Sequence, residues 1–298
     1  MGKRPERNLA FAAALYAATL ADGTTNTVRA QSASQTPELT NLVVTATRLP
    51  TSPDRVGSSV TVINAEELED KQTTFVLDAI RRVPGLAVGR AGGFGNLSQV
   101  RMRGAEGNHT LVLIDGIEVN DVGFNSEFDF GNLLTDNIDR IEILRGAQST
   151  LWGGDAIGGV INIITNKGKG NPSAAAFVEA GSFQTGRASA TISGSDGAWS
   201  YSFNASRFQS HGISQANENN GNRETDGHDN DSFIGHIGVQ ALDSLSLEAV
   251  ARYRDSTLET DPQTFNLVTF LSDPPADGIT RTDGIARQGR ITATADLF

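Results

Sequence analysis

The sequence predicts an α+β body followed by a two-faced antiparallel β-sheet. Three observations predict it. Two short apolar strands flank a glycine-dense turn between Ile138 and Thr165. Helix start and stop signals cluster between Asn64 and Gly85. After Pro172 the helical period vanishes, and polar and apolar residues alternate.

Composition narrows the function. The 298 residues allow one or two domains. With no cysteine, neither a disulfide framework nor a thiolate metal site can form. The formal charge of −11 argues against a nucleic-acid binder, which needs a basic face. No apolar run is long enough to span a bilayer as a mature helix. If a membrane is involved, strands must cross it.

Residues 1–30 read as a secretory signal. Lys3, Arg4 and Arg7 precede the apolar core Leu9 to Leu20. Residues 31–55 read as a flexible segment containing one β-prone island, Leu42 to Arg48, before Pro50 and Pro53. An isolated β-prone stretch in a loose tail suits strand addition to a partner's sheet edge.

Residues 56–170 form the α+β body. Ser59 to Ile63 reads as a strand. Asn64 is placed to cap a helix, with Glu67 completing a capping box. Phe75 to Val83 predicts a second helix whose Val76, Ile80 and Val83 share a face, ended by Pro84-Gly85. Gln99 to Arg103 and Thr110 to Ile114 are expected to pair, with Asp115-Gly116 as a tight turn. Arg101, Arg103, Arg140 and Arg145 are expected to pair with Glu142 or with carboxylates of the neighbouring sheet. From residue 171 to 298 about six strands are expected, the clearest over Arg187 to Ser193, Trp199 to Ser206 and Leu245 to Arg254. Their alternation fits a lipid-facing barrel wall and also a soluble sandwich.

Particular motifs choose between these. "IDRIEILRG" (Ile138 to Gly146) and "WGGDAIGGVINIIT" (Trp152 to Thr165) resemble the end of the plug domain of TonB-dependent outer-membrane transporters. Trp152 stands where that family usually has Tyr. "LDAIRRVPGL", "VRMRG" and "LVLIDG" resemble the same domain. Leu42, Val43, Val44, Thr45, Ala46, Thr47 and Arg48 resemble the TonB box, most closely its "VVTA" form in cobalamin receptors.

The resemblance implies an α+β plug domain at 56–170, then the first strands of an antiparallel transmembrane β-barrel. A plugged barrel needs roughly 22 strands, so the barrel is expected to be truncated here. The implied protein is a receptor of the Gram-negative outer membrane and not an enzyme. It imports a large scarce ligand, with TonB of the inner-membrane complex as its energy-transducing partner. The expected ligand is cobalamin or another corrinoid. A ferric-siderophore receptor is the alternative, and a secreted periplasmic β-rich binding module a second.

Two plug loops are the expected substrate floor, contributing Phe94, Asn96, Ser98, Asn125, Ser126 and Phe128. Cobalamin receptors of the family carry calcium-binding acidic loops. By that resemblance Asp226, Asp229 and Asp231 from one loop, with Asp255 and Asp261 from a second, are expected to hold structural calcium. No phosphate loop, HExxH or GxSxG motif occurs.

Overall fold

The structure, a computed structural model, describes residues 43, 45, 51–52, 55–214, 225–260, 265–266, 271–272 and 280–295. The signal segment, most of the Leu42 to Arg48 island, and Asp261 lie outside the described residues. Among the described residues no helix is long and apolar enough to cross a membrane.

The body is built on a five-stranded sheet. Its spatial order is β1 (Ser59–Asn64), β6 (Ile138–Arg145), β7 (Gly159–Thr165), β4 (Thr110–Ile114) and β5 (Ile117–Glu118). Only β4 and β7 run parallel. β2 (Leu86–Arg90) and β3 (Ser98–Met102) form a separate hairpin. Helices α1 (Ala65–Asp70), α2 (Val76–Ile80) and α3 (Ser149–Trp152) are short. β7 is buried along its whole length, as a near-continuous apolar strand must be when both sheet faces are covered. Ile141, Ile143, Ile161 and Ile163 point into one core with Val76, Leu77 and Ile80. Leu144 and Val160 point the other way, against Leu111, Leu113 and Ala156.

The expected pairing of Gln99–Arg103 with Thr110–Ile114 is not what forms. β3 pairs with β2, and β4 pairs with β7 and β5. Arg103 (φ 53°) and Gly104 (φ 81°) are both left-handed and turn the chain away before β4 begins. Asp115 (φ 50°) and Gly116 (φ 74°) do make the tight turn. Asn64 is the N-cap of α1, but its side chain makes no capping hydrogen bond, so the capping box does not form. α2 is shorter than predicted at both ends: Phe75 is extended (ψ 140°) and serves as the N-cap, and Arg81 is already the C-cap.

The second part is one antiparallel sheet. Its order is β8 (Ser173–Gly181), β9 (Thr185–Asp196), β10 (Trp199–Ser210), β11 (His228–Leu242), β12 (Leu245–Thr260) and β15 (Thr280–Ala295). A small hairpin, β13 (Phe265–Asn266) and β14 (Leu271–Ser272), lies between the last two. The six strands do not close on themselves. The connections 197–198 and 243–244 at one end are two residues long; those joining strands at the other end are the three-residue 182–184 and the longer 211–227 and 261–279. Trp199, Phe203, Phe233, Ile237, Leu247, Tyr253 and Ile291 are exposed on one face. Ser202, Asn204, Ser206, Asn230 and His236 are buried on the other, against the α+β body. Val250, the one break in the alternation of β12, is buried with this polar set. Cα partners confirm the faces: Phe203 sits beside Ile192 and Gly235, and Ala249 beside Ile237 and Ile291.

The seam between body and wall is mainly polar. Arg187 Nη2 donates to Asp136 Oδ1 (2.9 Å) and to Thr135 Oγ1 (3.2 Å). Asp115 takes the backbone N–H and hydroxyl of Thr165 and an ion pair from Arg252. Arg290 Nη1 donates to the Asp115 carbonyl (2.9 Å). Lys167 Nζ reaches Glu248 at 2.7 Å, and Asn230 Nδ2 donates to the Asn132 carbonyl at 2.8 Å.

Candidate functional site

Two loops of the body lie toward the long-loop end of the wall. The first, residues 91–97, joins β2 to β3. Phe94 stacks on Phe75 (5.3 Å) and meets Phe208 of β10 edge-on (5.3 Å). Gly95 (φ 77°) passes against the His228 ring so closely that a Cβ there would lie 2.3 Å from Nδ1. Asn96 and Ser98, expected to face substrate, are buried instead. Ser98 Oγ donates to the Asn96 carbonyl, and its N–H donates to Asp129 Oδ1 (2.9 Å), tying the first loop to the second.

The second loop, residues 119–136, is held open by its own polar groups. Asn120 Oδ1 accepts from the Val112 N–H, while its Nδ2 donates to the carbonyls of Thr110 and Ser126. Asp121 Oδ1 accepts from the Gly123 N–H (2.8 Å), an Asx turn that starts a short 3-10 turn over Val122–Phe124. Asn125 and Ser126 follow in the left-handed region (φ 52° and 55°). Asn125 is exposed, Ser126 half-buried, and Phe128 turns inward against Phe130 (4.7 Å). The exposed apolar groups are Val122, 87% exposed, and Phe124, 41% exposed. Neither is among the residues expected from the sequence to contact substrate. The Asp-x-Gly spacing of the Asx turn is the signal that points to them.

Asp129 is half-buried. Burial pushes its carboxyl above the ordinary aspartate value, opposed by the N–H groups of Gly131 and Ser98 and by the Arg254 guanidinium. Between this loop and the wall lies a cavity of about 390 Å3. Phe124, Leu133 and Ile234 give it apolar lining, and Asp136, Arg252 and Arg254 give it charge.

The acidic residues are arranged differently from the two loops expected. β11 starts at His228, so Asp229 and Asp231 lie on a strand. Asp255 lies within β12 and is the Cα partner of Asp231. Wall strands of 15 and 16 residues extend past their apolar band, which is why these residues are strand and not loop. Arg207 Nη1 donates to Asp231 Oδ1 (3.2 Å). Asp226 is buried at the strand's approach. Among the described residues no three acidic or histidine side chains converge as a metal site requires.

Of the Leu42 to Arg48 island, Val43 and Thr45 are described, and both are buried. The sequence pictures a loose tail, but Thr45 is bonded to the body at several points. Glu142, fully buried in β6, accepts from Thr45 N (2.9 Å), Thr45 Oγ1 (2.6 Å) and Arg140 Nε (2.8 Å). Asn162 Nδ2 donates to Thr45 Oγ1, and Trp152 Nε1 donates to the Thr45 carbonyl (2.8 Å). Trp152 thus has an N–H that uses this segment as its acceptor.

The α+β body has a counterpart among known families: residues 52–160 match the model of the TonB-dependent Receptor Plug Domain. The chain carries a plug domain. Solved receptors share the arrangement of plug and wall strands. FpvA of Pseudomonas aeruginosa, bound to heterologous pyoverdines, superposes with a TM-score of 0.69 at 19% identity, covering 86% of this chain and 34% of that one. The ferric yersiniabactin uptake receptor FyuA of Yersinia pestis gives 0.63 at 20% identity, covering 87% and 41%. FpvA of Pseudomonas aeruginosa PAO1 bound to pyoverdine gives 0.61 at 25% identity, covering 74% and 30%. The chain therefore spans about a third of the length of these receptors. Behind the plug, the six wall strands form a partial β-barrel-like sheet.

Proposed function

We propose that this chain is the plug and first wall strands of a TonB-dependent outer-membrane receptor that imports a ferric chelate of the siderophore type. One observation carries the reading. The plug is bonded to the polar face of a sheet whose opposite face is a continuous apolar band, as a barrel wall in lipid requires. Two-residue turns at one end, and at the other two long connections beside the short 182–184 turn, fit periplasmic and extracellular sides respectively. On that orientation the loops at 91–97 and 119–136 face the outside.

The ferric-chelate reading takes precedence over the corrinoid reading. The solved receptors of the same fold include receptors for pyoverdine and for ferric yersiniabactin. No enzyme chemistry is needed, since energy for import would come from TonB engaging Leu42 to Arg48 by strand addition. Equilibrium binding to the full receptor tests the ligand class, with ferric hydroxamate, ferric catecholate and cyanocobalamin as probes, each with and without calcium. Saturable binding of a ferric chelate is expected. Binding of cyanocobalamin alone, strengthened by calcium, would restore the corrinoid reading.

A further inference from the structure

The cavity between the second plug loop and the wall has a charge pattern of its own. Five carboxylates line it, those of Glu118, Asp121, Glu127, Asp129 and Asp136, against two guanidiniums, Arg252 and Arg254. Glu118 and Asp121 are exposed at the rim, and Asp136 is only 7% exposed at the floor. Arg252 is committed to Asp115, Asp136 already faces Arg187, and the charge of Arg254 is opposed by Asp129, which leaves Glu118, Asp121 and Glu127 without an opposing cation among the lining residues. The surplus is negative.

Several buried polar atoms here lack a partner among the described residues. Asp136 Oδ1 accepts from Arg187, but Asp136 Oδ2 accepts from nothing. Arg252 Nε and Nη1 and Arg254 Nε are buried donors in the same condition. Unpaired buried polar groups are costly, so such a set marks a place where another molecule's groups fit. Its complement would donate to a carboxylate and accept from guanidiniums. An amine-bearing, amide-rich chain does both: its ammonium meets Asp136, and its carbonyl oxygens meet the arginines.

Resting on the ferric-chelate reading, we propose that this cavity is a subsite for a cationic, amide-rich arm of the chelate. It therefore selects against polyanionic chelates. Phe124 at the mouth packs on the methylene part of that arm. The cavity volume suits an arm and leaves the metal centre above the loop.

The test uses the full receptor and a matched pair of probes. One is a ferric trihydroxamate with a free terminal ammonium; the other is the same chelate with that amine acetylated. A trianionic ferric tris-catecholate is the third probe. The ammonium form is expected to bind about tenfold tighter than the acetylated form, roughly 1.4 kcal/mol. Asp136→Asn and Glu118→Gln should each narrow that ratio. Glu118→Gln changes an exposed side chain and leaves the Arg187 anchor intact, so it guards against a folding defect. Equal binding of the matched pair, or tighter binding of the tris-catecholate, overturns the subsite and leaves the ferric-chelate reading standing. Binding of none of the three overturns both.

Discussion

Glu142 shows how a single side chain can serve two parts of the fold. It lies inside the plug sheet, satisfied by Arg140 and by Thr45. Removing a buried charge's partner costs more than the pair is worth, because the remaining charge is stranded. Here Arg140 keeps Asp139 as a partner, so Glu142→Ala mainly strips buried Thr45 of its acceptor and should destabilise the plug by about 1–3 kcal/mol, read as a lowered thermal midpoint. It should also speed proteolysis within residues 42–48, since Thr45 loses its main acceptor. Sequence reasoning finds Arg140 for Glu142, because residues two apart on a strand share a face. It does not find Thr45, which is 97 residues away and joined only by the fold. Asp129 offers a pH test. Its folded-state value lies above the unfolded one, so its ionised form opposes folding at neutral pH. That penalty fades as pH falls through the raised value. Asp129→Asn keeps an Oδ1 to accept from Ser98 and Gly131, as the aspartate does. The variant should gain on the parent as pH rises from acid toward neutrality and match it in acid, in thermal midpoints taken across that range.

At the scale of elements, strands that carry their own period are legible and contacts between elements are not. The alternation of β10 and β12 gives their faces correctly, down to the inward Val250. The partner of β3 is not legible, because a left-handed Arg103 leaves no compositional mark. Asn96 and Ser98 look like ligand groups in a glycine-rich loop, yet their bonds are spent joining that loop to Asp129. The same loop meets the wall at one tight point, Gly95 under the His228 ring. Gly95→Ala should cost about 1–3 kcal/mol by overpacking, with backbone strain added. His228→Ala in the same chain should recover part of that loss by opening space. If the double variant is no more stable than Gly95→Ala alone in a thermal melt, the ring is not the obstacle.

For the whole molecule, the fold class is legible because two periods and one long motif agree, whereas the buried position of Thr45 and the cavity depend on distant segments meeting. The apolar face of the wall makes a direct prediction. Phe203→Arg puts a charge in the middle of that band and should cost about 2–4 kcal/mol in a bilayer. The same change should matter far less if the sheet faces water, so folding titrations in lipid and in aqueous buffer separate the two. The seam on the other face has a mechanical meaning. Its fastenings are mostly charged or amide groups, such as Arg187 with Asp136 and Lys167 with Glu248. Water can replace each of these in turn, one bond at a time. On the proposed reading, a cork seated this way slides wet: it can be drawn along the wall with little oily surface laid bare, except where Phe75, Phe94 and Phe208 interlock. Those three rings are the catch that a pull has to overcome.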